Sequence, residues 1–377
     1  MKVKIHKLFE YLLETTAVKP DAVLGFSLST SPTLGQFLPD LDPNFPLDWS
    51  NQSFQGLNAL REHVIARADL AGRCSPSDVL ITAGTAEANY LAIRQLVQPG
   101  DELIAESPGW PQPFVLGEAI GATMKTLPRR EENGWRFDLA ELESLISEKT
   151  KLIFLCNPNN PTGQVMDEAE LLEVVRLAER AGAYLLVDEV YAGLEWVGER
   201  VPSVAGLYER GISTGSVSKA LGLQGLRTGW MICRDPEVIF DSVILRENSS
   251  EIMNVMGELI AEIALRPDRY TVAIAKARAE GLRNLRLLDE FIASREELSW
   301  KRPLAGLIGL CRLHLPLDSE TFARRLLGPP YRTFLLPGTA YNCPQHIRLG
   351  VGGGEAVALD VGLERLGWLL DELKSES

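Results

Sequence analysis

The sequence has few histidines, few cysteines and a shortage of positive charge. It contains four histidines among 377 residues, and 38 Lys and Arg against 51 Asp and Glu give a formal net charge of −13. This acidic balance argues against nucleic acid or an anionic membrane surface as the main partner. The cysteines form no C-x-x-C pair and are scattered at Cys74, Cys156, Cys233, Cys311 and Cys343. Metal catalysis therefore has no visible basis, and we expect reduced thiols rather than a disulfide framework.

Long hydrophobic runs are also missing. No apolar stretch of signal-peptide length follows residues 1–7, and no later run is long enough to span a bilayer. We therefore expect a cytoplasmic protein without a membrane partner. A chain of 377 residues can bury a full core and should divide into two domains.

The middle of the chain alternates short apolar runs with longer amphipathic stretches. Runs rich in Val, Ile and Leu predict buried strands at 79–82, 103–106, 152–156, 185–188, 212–217 and 230–233. Helical apolar spacing predicts helices at 86–96, 114–120 and 168–181, the last with a stripe of Leu171, Leu172, Val175, Leu177 and Ala178. This alternation predicts a mainly parallel sheet with helices on both faces. Ligands bind beyond the carboxyl ends of the strands in such sheets.

The C-terminal third has a different character. Long helices are predicted from Glu251 to Leu265 and from Thr271 to Ser294, and a terminal amphipathic helix is predicted around 363–373. Between them lie short apolar stretches, including residues 334–338. This region therefore does not continue the regular alternation of strands and helices.

One lysine lies in a setting suited to covalent chemistry. Lys219 follows Ser216 and Ser218, and Arg227 lies eight positions further on. A lysine amine is a covalent catalyst when it forms a Schiff base with an aldehyde cofactor. Hydroxyls before it and a guanidinium after it would suit the phosphate of such a cofactor. Taken alone, a lysine in a Ser-x-Ser-Lys pattern is more often an ordinary solvated side chain.

Two segments upstream of this lysine complete a longer pattern. Residues 157–163 read NPNNPTG and directly follow a predicted strand, and another predicted strand ends at an aspartate three residues before a tyrosine. The sequence resembles the pyridoxal-phosphate enzymes of the aspartate aminotransferase superfamily, the class I and II aminotransferases of fold type I. The residues that carry this resemblance, in order and spacing, are Asn160, Asp188, Tyr191, Lys219 and Arg227.

The resemblance covers most of the chain, from about Asp48 to Arg348. It implies an α/β fold with a mainly parallel sheet flanked by helices. It further implies a large cofactor-binding domain at 45–275 and a smaller α+β domain built from the two chain ends, 1–44 and 276–377. Active sites of this family lie at a subunit interface, so a homodimer is implied as well.

The resemblance also assigns roles around pyridoxal 5′-phosphate. Lys219 would carry the cofactor and move the proton, and Asp188 would stabilise the protonated ring nitrogen by charge pairing. Tyr191 and Asn160 would hydrogen-bond the phenolic oxygen, and Trp110 would stack on the ring. Structural roles stay open beside these: a cap for Asp188, turn formation for Asn160, and core or interface packing for Trp110.

The cofactor phosphate needs hydrogen-bond donors. Residues 84–86 follow a predicted strand and open a helix, so their backbone N–H groups and the helix dipole can hold an anion. An ordinary strand-to-helix turn would look the same. The resemblance assigns the phosphate to Gly84, Thr85, Ala86, Ser216, Ser218 and Arg227.

Substrate recognition is only partly indicated. Arg348 occupies the family's position for the arginine that grips the amino acid's α-carboxylate, a task suited to a guanidinium fork. The tyrosine that usually reaches the neighbouring subunit's phosphate is missing, and Trp49, Asn51 and Phe54 lie at this place instead. The loop 27–32 lacks the expected glycine. No second conspicuous arginine marks a site for a dicarboxylate, so aspartate specificity is not favoured.

Three functions follow from these observations. The leading hypothesis is an aminotransferase that moves an amino group between an amino acid and a 2-oxo acid in a pyridoxal/pyridoxamine phosphate ping-pong cycle. The alternative is a pyridoxal-phosphate-dependent lyase or cyclase, because residues 222–227 and 245–248 resemble relatives of capreomycidine synthase, which cyclise a modified arginine. A non-enzymatic regulator is disfavoured, since the catalytic positions are filled and no DNA-binding extension accompanies the domain.

Overall fold

A computed structural model of the chain describes residues 2–48, 50, 53–353 and 358–376. The helices are α1 (Lys7–Thr15), α2 (Asn58–Arg67), α3 (Thr85–Leu96), α4 (Gln112–Ile120), α5 (Leu139–Leu145), α6 (Glu168–Ala181), α7 (Pro236–Glu247), α8 (Val255–Leu265), α9 (Pro267–Ala293), α10 (Ser319–Leu327) and α11 (Leu359–Glu376). The strands are β1 (Ala22–Val23), β2 (Val79–Thr82), β3 (Glu102–Ser107), β4 (Thr123–Pro128), β5 (Thr150–Cys156), β6 (Tyr184–Asp188), β7 (Gly211–Ser216), β8 (Gly229–Cys233), β9 (Leu298–Trp300), β10 (Ile308–Leu313), β11 (Thr333–Phe334), β12 (Leu336–Pro337) and β13 (His346–Gly350).

The central sheet has seven strands in the order β2-β8-β7-β6-β5-β3-β4. The strands from β7 to β4 in this order are parallel neighbours, whereas β8 runs antiparallel to both β7 and β2. Every residue of β2, β6, β7 and β8 is buried, as expected for a sheet covered on both faces. The predicted α/β fold with a mainly parallel sheet is therefore confirmed.

Helix α6 shows how local sequence sets one of the covering helices. Asp167 and Glu170 form a reciprocal capping box at its start, and Gly182 ends it in the left-handed region at φ 65°. Its buried face consists of Leu171, Val174, Val175, Leu177 and Ala178. The predicted stripe was wrong at Leu172, which is 46% exposed, because a helix turns about 100° per residue and carries this position out to solvent.

A second layer is built from both ends of the chain. Strands β12-β13-β10-β9 form an antiparallel sheet, and β1 pairs in parallel with β11. Its core includes Leu8 of α1, Leu24 after β1, Leu288 of α9, Phe322 of α10 and Leu366 of α11. Helix α9 runs unbroken across the predicted domain boundary at 275/276, and the division into 45–275 and the two chain ends stays a prediction.

The helices of the C-terminal third differ from the predicted ones at their starts. Residues 251–254 are not helical, because the side chain of Asn254 accepts a hydrogen bond from the backbone N–H of Gly257 and fixes the start of α8 at Val255. Helix α9 begins earlier than predicted, at Pro267, a residue well suited to the first position of a helix. The terminal helix is longer than predicted and spans Leu359–Glu376.

Within the described ranges, every helix is too short or too polar to cross a membrane. The same ranges contain no group of three His, Cys, Asp or Glu side chains arranged to hold a metal ion. All five cysteines are free thiols, and Cys156, Cys233 and Cys311 are buried.

Candidate active site

The carboxyl ends of β5, β6 and β7 meet at one edge of the central sheet and border a cavity of about 310 Å³. Parallel strands end at the same edge, so residues far apart in sequence are brought together there. Asp188 ends β6, Ser216 ends β7, and Asn160 lies in the segment after β5. The predicted site residues that line the cavity are Thr85, Ala86, Trp110, Asn160, Asp188, Tyr191, Ser216, Ser218, Lys219, Arg227 and Arg348.

Lys219 lies in the segment 217–228, which joins the antiparallel neighbours β7 and β8. Its Nζ donates a hydrogen bond to Ser27 Oγ at 3.3 Å. Burial lowers the pKa of Lys219 to about 8, and the nearby positive charge of Arg348 acts in the same direction. A larger fraction of this amine is therefore neutral and nucleophilic near pH 8 than for an ordinary lysine.

Asp188 is held by two donors at the end of β6. Asn89 Nδ2 donates to its Oδ2 at 3.0 Å, and the backbone N–H of Val190 donates to its Oδ1 at 3.1 Å. Asn89 is itself oriented by Thr214, whose Oγ1 donates to Asn89 Oδ1 at 2.8 Å. Burial raises the pKa of Asp188 to about 6, while the bond from Asn89 favours the ionised form. A cation beside this carboxylate would stabilise it further.

Asn89 is a site residue that the sequence analysis missed. It lies on the buried face of α3, among Ala88, Leu91 and Ala92. A buried amide needs hydrogen-bond partners, so a single Asn on an otherwise apolar helix face was a usable signal. The sequence did not show what that partner would be.

A serine hydroxyl connects Lys219 to a tyrosine. Tyr191 Oη donates to Ser27 Oγ at 2.9 Å, the same oxygen that accepts from Lys219. Burial raises the pKa of Tyr191 to about 12, so the phenol is neutral at physiological pH. Ser27 was read only as part of a loop lacking the expected glycine, and its position between Lys219 and Tyr191 was missed.

Arg348 reaches the cavity from β13 and is almost completely buried. Its Nη1 donates to Tyr341 Oη at 2.7 Å and to Asn160 Oδ1 at 3.3 Å, and its Nη2 donates to the carbonyl oxygen of Gly25 at 2.7 Å. Among the described residues, no group accepts from its Nε. Three of its five N–H groups are therefore used, which fixes the guanidinium in position. Tyr341 was not predicted, because nothing in its sequence setting separates it from a core tyrosine.

Arg227 and the start of α3 form a corner rich in donors. Gly84 precedes α3 with φ 82°, and a Cβ on this residue would lie 2.6 Å from Arg227 Nη2. Gly84 itself is not in the cavity lining and lies behind it, against this guanidinium. Arg227 is exposed and donates to the carbonyl oxygens of Ala83 and Gln224, both at 3.1 Å. In the described structure the buried Thr85 Oγ1 has no hydrogen-bond partner.

The serines before Lys219 adjoin the same corner. Ser216 Oγ accepts a hydrogen bond from the backbone N–H of Ser218 at 3.2 Å, and both residues line the cavity. The free N–H groups of a helix start, a guanidinium, and an unpartnered buried hydroxyl are the donors that a phosphate group requires. These residues therefore fit the phosphate of the implied cofactor.

Trp110 lines the cavity next to α3. Its Nε1 donates to Gln112 Oε1 at 3.1 Å, and Gln112 Nε2 donates to the carbonyl oxygen of Ala86 at 2.8 Å. The indole is thus tied to the donor-rich corner, and the ring of His6 packs edge-on to it with centroids 6.1 Å apart. Trp110 also packs against two hydrophobic core clusters, so its ring-stacking role stays a prediction.

The departures on the N-terminal side are only partly visible. Trp49 and Asn51 lie outside the described residues. Phe54 is described, and its side chain is 46% exposed and lies outside the cavity lining. The residue that replaces the intersubunit tyrosine is therefore not identified by the described part of the chain.

The chain is similar to known proteins in both sequence and structure. The profile of the family described as aminotransferase class I and II matches residues 50–366. Capreomycidine synthase of Streptomyces vinaceus is 29% identical over 75% of this chain and 73% of its own length. Alanine aminotransferase of Mycobacterium bovis is 27% identical over 78% of this chain and 72% of its own. A pyridoxal-phosphate-dependent aminotransferase from Streptococcus suis superposes with a TM-score of 0.90 at 29% identity and covers 99% of both chains.

Proposed function

Because the chain belongs to the class I and II aminotransferase family, we propose that it moves an amino group between an amino acid and a 2-oxo acid. Its cofactor is pyridoxal 5′-phosphate. The proposal rests on the convergence of Lys219, Asp188, Tyr191 and Arg348 on one cavity beside a donor-rich corner. Amine, carboxylate, phenol and guanidinium are the groups that transamination needs in one place.

Several residues would hold the cofactor. Its phosphate would take the corner formed by the start of α3, Ser216, Ser218 and Arg227. Asp188, oriented by Asn89, would face the ring nitrogen, and Trp110 would lie on the ring face. When bound, the cofactor supplies an aldehyde for covalent attachment and a ring that accepts the electrons released at the substrate Cα.

Lys219 would move the proton. Its neutral Nζ would take the proton from the substrate Cα and, once protonated, would return it on the same side of the site, which is general acid–base catalysis by one group. The lowered pKa favours the neutral amine that this step requires. Ser27 Oγ lies 3.3 Å from Nζ and would limit the positions that the amine can take.

Arg348 would bind the α-carboxylate of the substrate. Its two Nη atoms are held by Gly25, Tyr341 and Asn160, so the guanidinium does not have to be ordered when a substrate arrives. Two of its five N–H groups, including the one on Nε, have no acceptor among the described residues and would be available to a carboxylate oxygen. The hydrogen bond from Arg348 Nη1 to Asn160 would also couple carboxylate binding to Asn160, which is the residue proposed to hydrogen-bond the phenolic oxygen of the cofactor.

Covalent attachment of the cofactor should depend on pH in a way that Lys219 determines. Lys219 must be neutral to attack the aldehyde, and its pKa is lowered from the usual 10.5 to about 8. The attachment rate should therefore rise with pH and level off above about 8. Stopped-flow absorbance after mixing apoenzyme with pyridoxal phosphate, between about pH 6 and pH 10, measures this profile. A rise centred near the usual lysine pKa would contradict the assignment.

A half-reaction without acceptor tests the proposed function directly. Holoenzyme mixed with an amino donor alone should release one equivalent of 2-oxo acid and retain pyridoxamine phosphate, because the amino group is stored on the enzyme between the two halves of a ping-pong cycle. Chromatography of the cofactor after denaturation identifies its form. Addition of a 2-oxo acid should then restore pyridoxal phosphate.

The second candidate is a pyridoxal-phosphate-dependent lyase or cyclase, which the similarity to capreomycidine synthase favours. Such an enzyme would continue to turn over without acceptor and would keep its cofactor as pyridoxal phosphate. Sustained turnover of this kind, with no pyridoxamine phosphate at any time, would replace the aminotransferase proposal. A homodimeric state and a cytoplasmic location stay predictions.

A further inference from the structure

One side of the candidate active site is apolar. Its apolar lining includes Leu8, Leu12, Phe26, Leu28 and Trp110, here called the apolar wall, and also Cys156, Pro158, Val190 and Leu336. Leu8 and Leu12 lie one turn apart on α1 and therefore present to the same side of the helix. The wall thus comes mainly from the first 28 residues, which the motif-based assignment left without a role.

The apolar wall lies close to the reacting groups. Ser27, whose Oγ is 3.3 Å from Lys219 Nζ and 2.9 Å from Tyr191 Oη, separates Phe26 from Leu28 in the chain. A substrate bonded to the cofactor near Lys219, with its carboxylate at Arg348, therefore has this wall within reach of its side chain.

The wall is held in place from two sides. Leu8 is buried in the core of the second layer, and Tyr11 of the same helix is buried there as well. On the other side, His6 caps α1 by accepting from the backbone N–H of Phe9 at 3.2 Å, and its ring contacts Trp110. These contacts hold α1 and Trp110 in place, whereas Phe26 stays 43% exposed.

Each charged group of the cavity already has a place in the proposed function. The charged residues in its described lining are Asp188, Lys219, Arg227 and Arg348. Asp188 bonds to Asn89, Arg227 to backbone carbonyls at the phosphate corner, and Arg348 to Gly25 and Tyr341. None of these charges belongs to the apolar wall, so a charged substrate side chain would lose its hydration there without gaining a partner.

We propose that the amino donor has an uncharged, apolar side chain, which packs against Leu8, Leu12, Phe26, Leu28 and Trp110. This inference rests on the proposed function, since it places the carboxylate at Arg348 and the reacting carbon at Lys219. Acidic donors meet no cation on the wall. Cationic donors, including the arginine-derived substrate that the cyclase alternative requires, meet no acid on it.

The first test is a comparison of donors with the holoenzyme. Leucine, methionine and phenylalanine should have kcat/KM values roughly 10²-fold or more above those of aspartate, glutamate, lysine and arginine. Binding is measured separately, from the change in cofactor absorbance at equilibrium. If apolar amino acids bind best and yield no 2-oxo acid, the aminotransferase proposal fails while the side-chain class stands. A charged amino acid as the best ligand overturns the inference.

The second test reverses the selectivity at one position. Leu12→Asp should lower kcat/KM for leucine at least about tenfold and raise it for lysine and arginine, because the new carboxylate offers a partner to a cation. Leu13→Asp is the matched control: it lies on the same helix, is 54% exposed, and should leave the selectivity unchanged. Phe26→Glu, at a partly exposed wall position, should shift the preference in the same direction as Leu12→Asp. This second variant tests the wall even if Leu12→Asp does not fold. Equal selectivity of Leu12→Asp, Phe26→Glu and Leu13→Asp overturns the assignment of the wall.

Discussion

Replacing Lys219 with alanine should lower turnover by about 10⁴-fold or more. The variant loses the covalent attachment point of the cofactor and also the amine that moves the proton, and proton transfer by a positioned group alone contributes typically 10²–10⁴-fold. The donor-corner residues remain, so some noncovalent cofactor binding should persist. Single-turnover kinetics with an amino donor measure the loss, and equilibrium dialysis measures the remaining binding.

The matched control for this variant is Lys276→Ala. Lys276 is exposed on α9 and does not line the active-site cavity, so turnover should be unchanged. Borohydride reduction of the wild-type holoenzyme, followed by peptide mapping, should place the pyridoxyl group on Lys219. Recovery of that group on another lysine would refute the assignment.

Asp188→Asn should reduce kcat roughly 10²–10³-fold, the scale seen when one preorganised electrostatic group is removed. The amide carries no charge to stabilise a protonated ring nitrogen. The NH₂ group of the new asparagine would also face a hydrogen-bond donor, since Asn89 Nδ2 and the Val190 N–H donate to the two carboxylate oxygens of Asp188. The ¹⁵N chemical shift of labelled cofactor bound to the variant should move toward that of an unprotonated ring.

The control for the second variant is Asp241→Asn on the exposed side of α7. It removes a carboxylate of the same type without touching the site, so kcat and the ¹⁵N shift should match those of the wild type. Near-normal kcat in Asp188→Asn, with a ring nitrogen that stays protonated, would assign the charge-pairing role to another group.

The central sheet could be predicted because its signals are local. Runs of Val, Ile and Leu located six of its seven strands, and helical apolar spacing located α6. Strand β4 carries no such run and was not predicted. The start of α8 was missed because hydrophobic spacing continued upstream of Asn254, while the side chain of that residue fixes the actual start. The order of the strands could not be predicted from the sequence, since β8 lies antiparallel between β7 and β2.

The polar half of the candidate site could be predicted for a different reason. Lys219, Asp188 and Arg348 lie in motifs whose order and spacing resemble a known family. Asn89 and Ser27 had no such motif, and their contacts cross long stretches of chain: Asn89 and Asp188 are 99 positions apart, and Ser27 and Lys219 are 192 apart. Contacts of this length depend on the packing of whole elements, which a single sequence does not display.

The apolar wall shows the same difficulty more strongly. Leu8 and Leu12 belong to an ordinary amphipathic helix, and their pattern predicts burial against any apolar surface. The folded structure is needed to show that both residues line the candidate active-site cavity.

The pairing of β1 with β11 also determines how long β1 must wait for its partner strand during biosynthesis. Ala22 pairs with Thr333 and Val23 with Phe334, so the N-terminal segment leaves the ribosome long before its partners are made. At 5–20 residues per second, this interval is roughly 15–60 s. Throughout it, β1 has no strand to pair with, and Tyr11 of α1 lacks the ring of Phe334 against which it packs in the folded protein. The part of the pocket that would distinguish one amino acid from another is thus synthesised long before the strand with which β1 pairs.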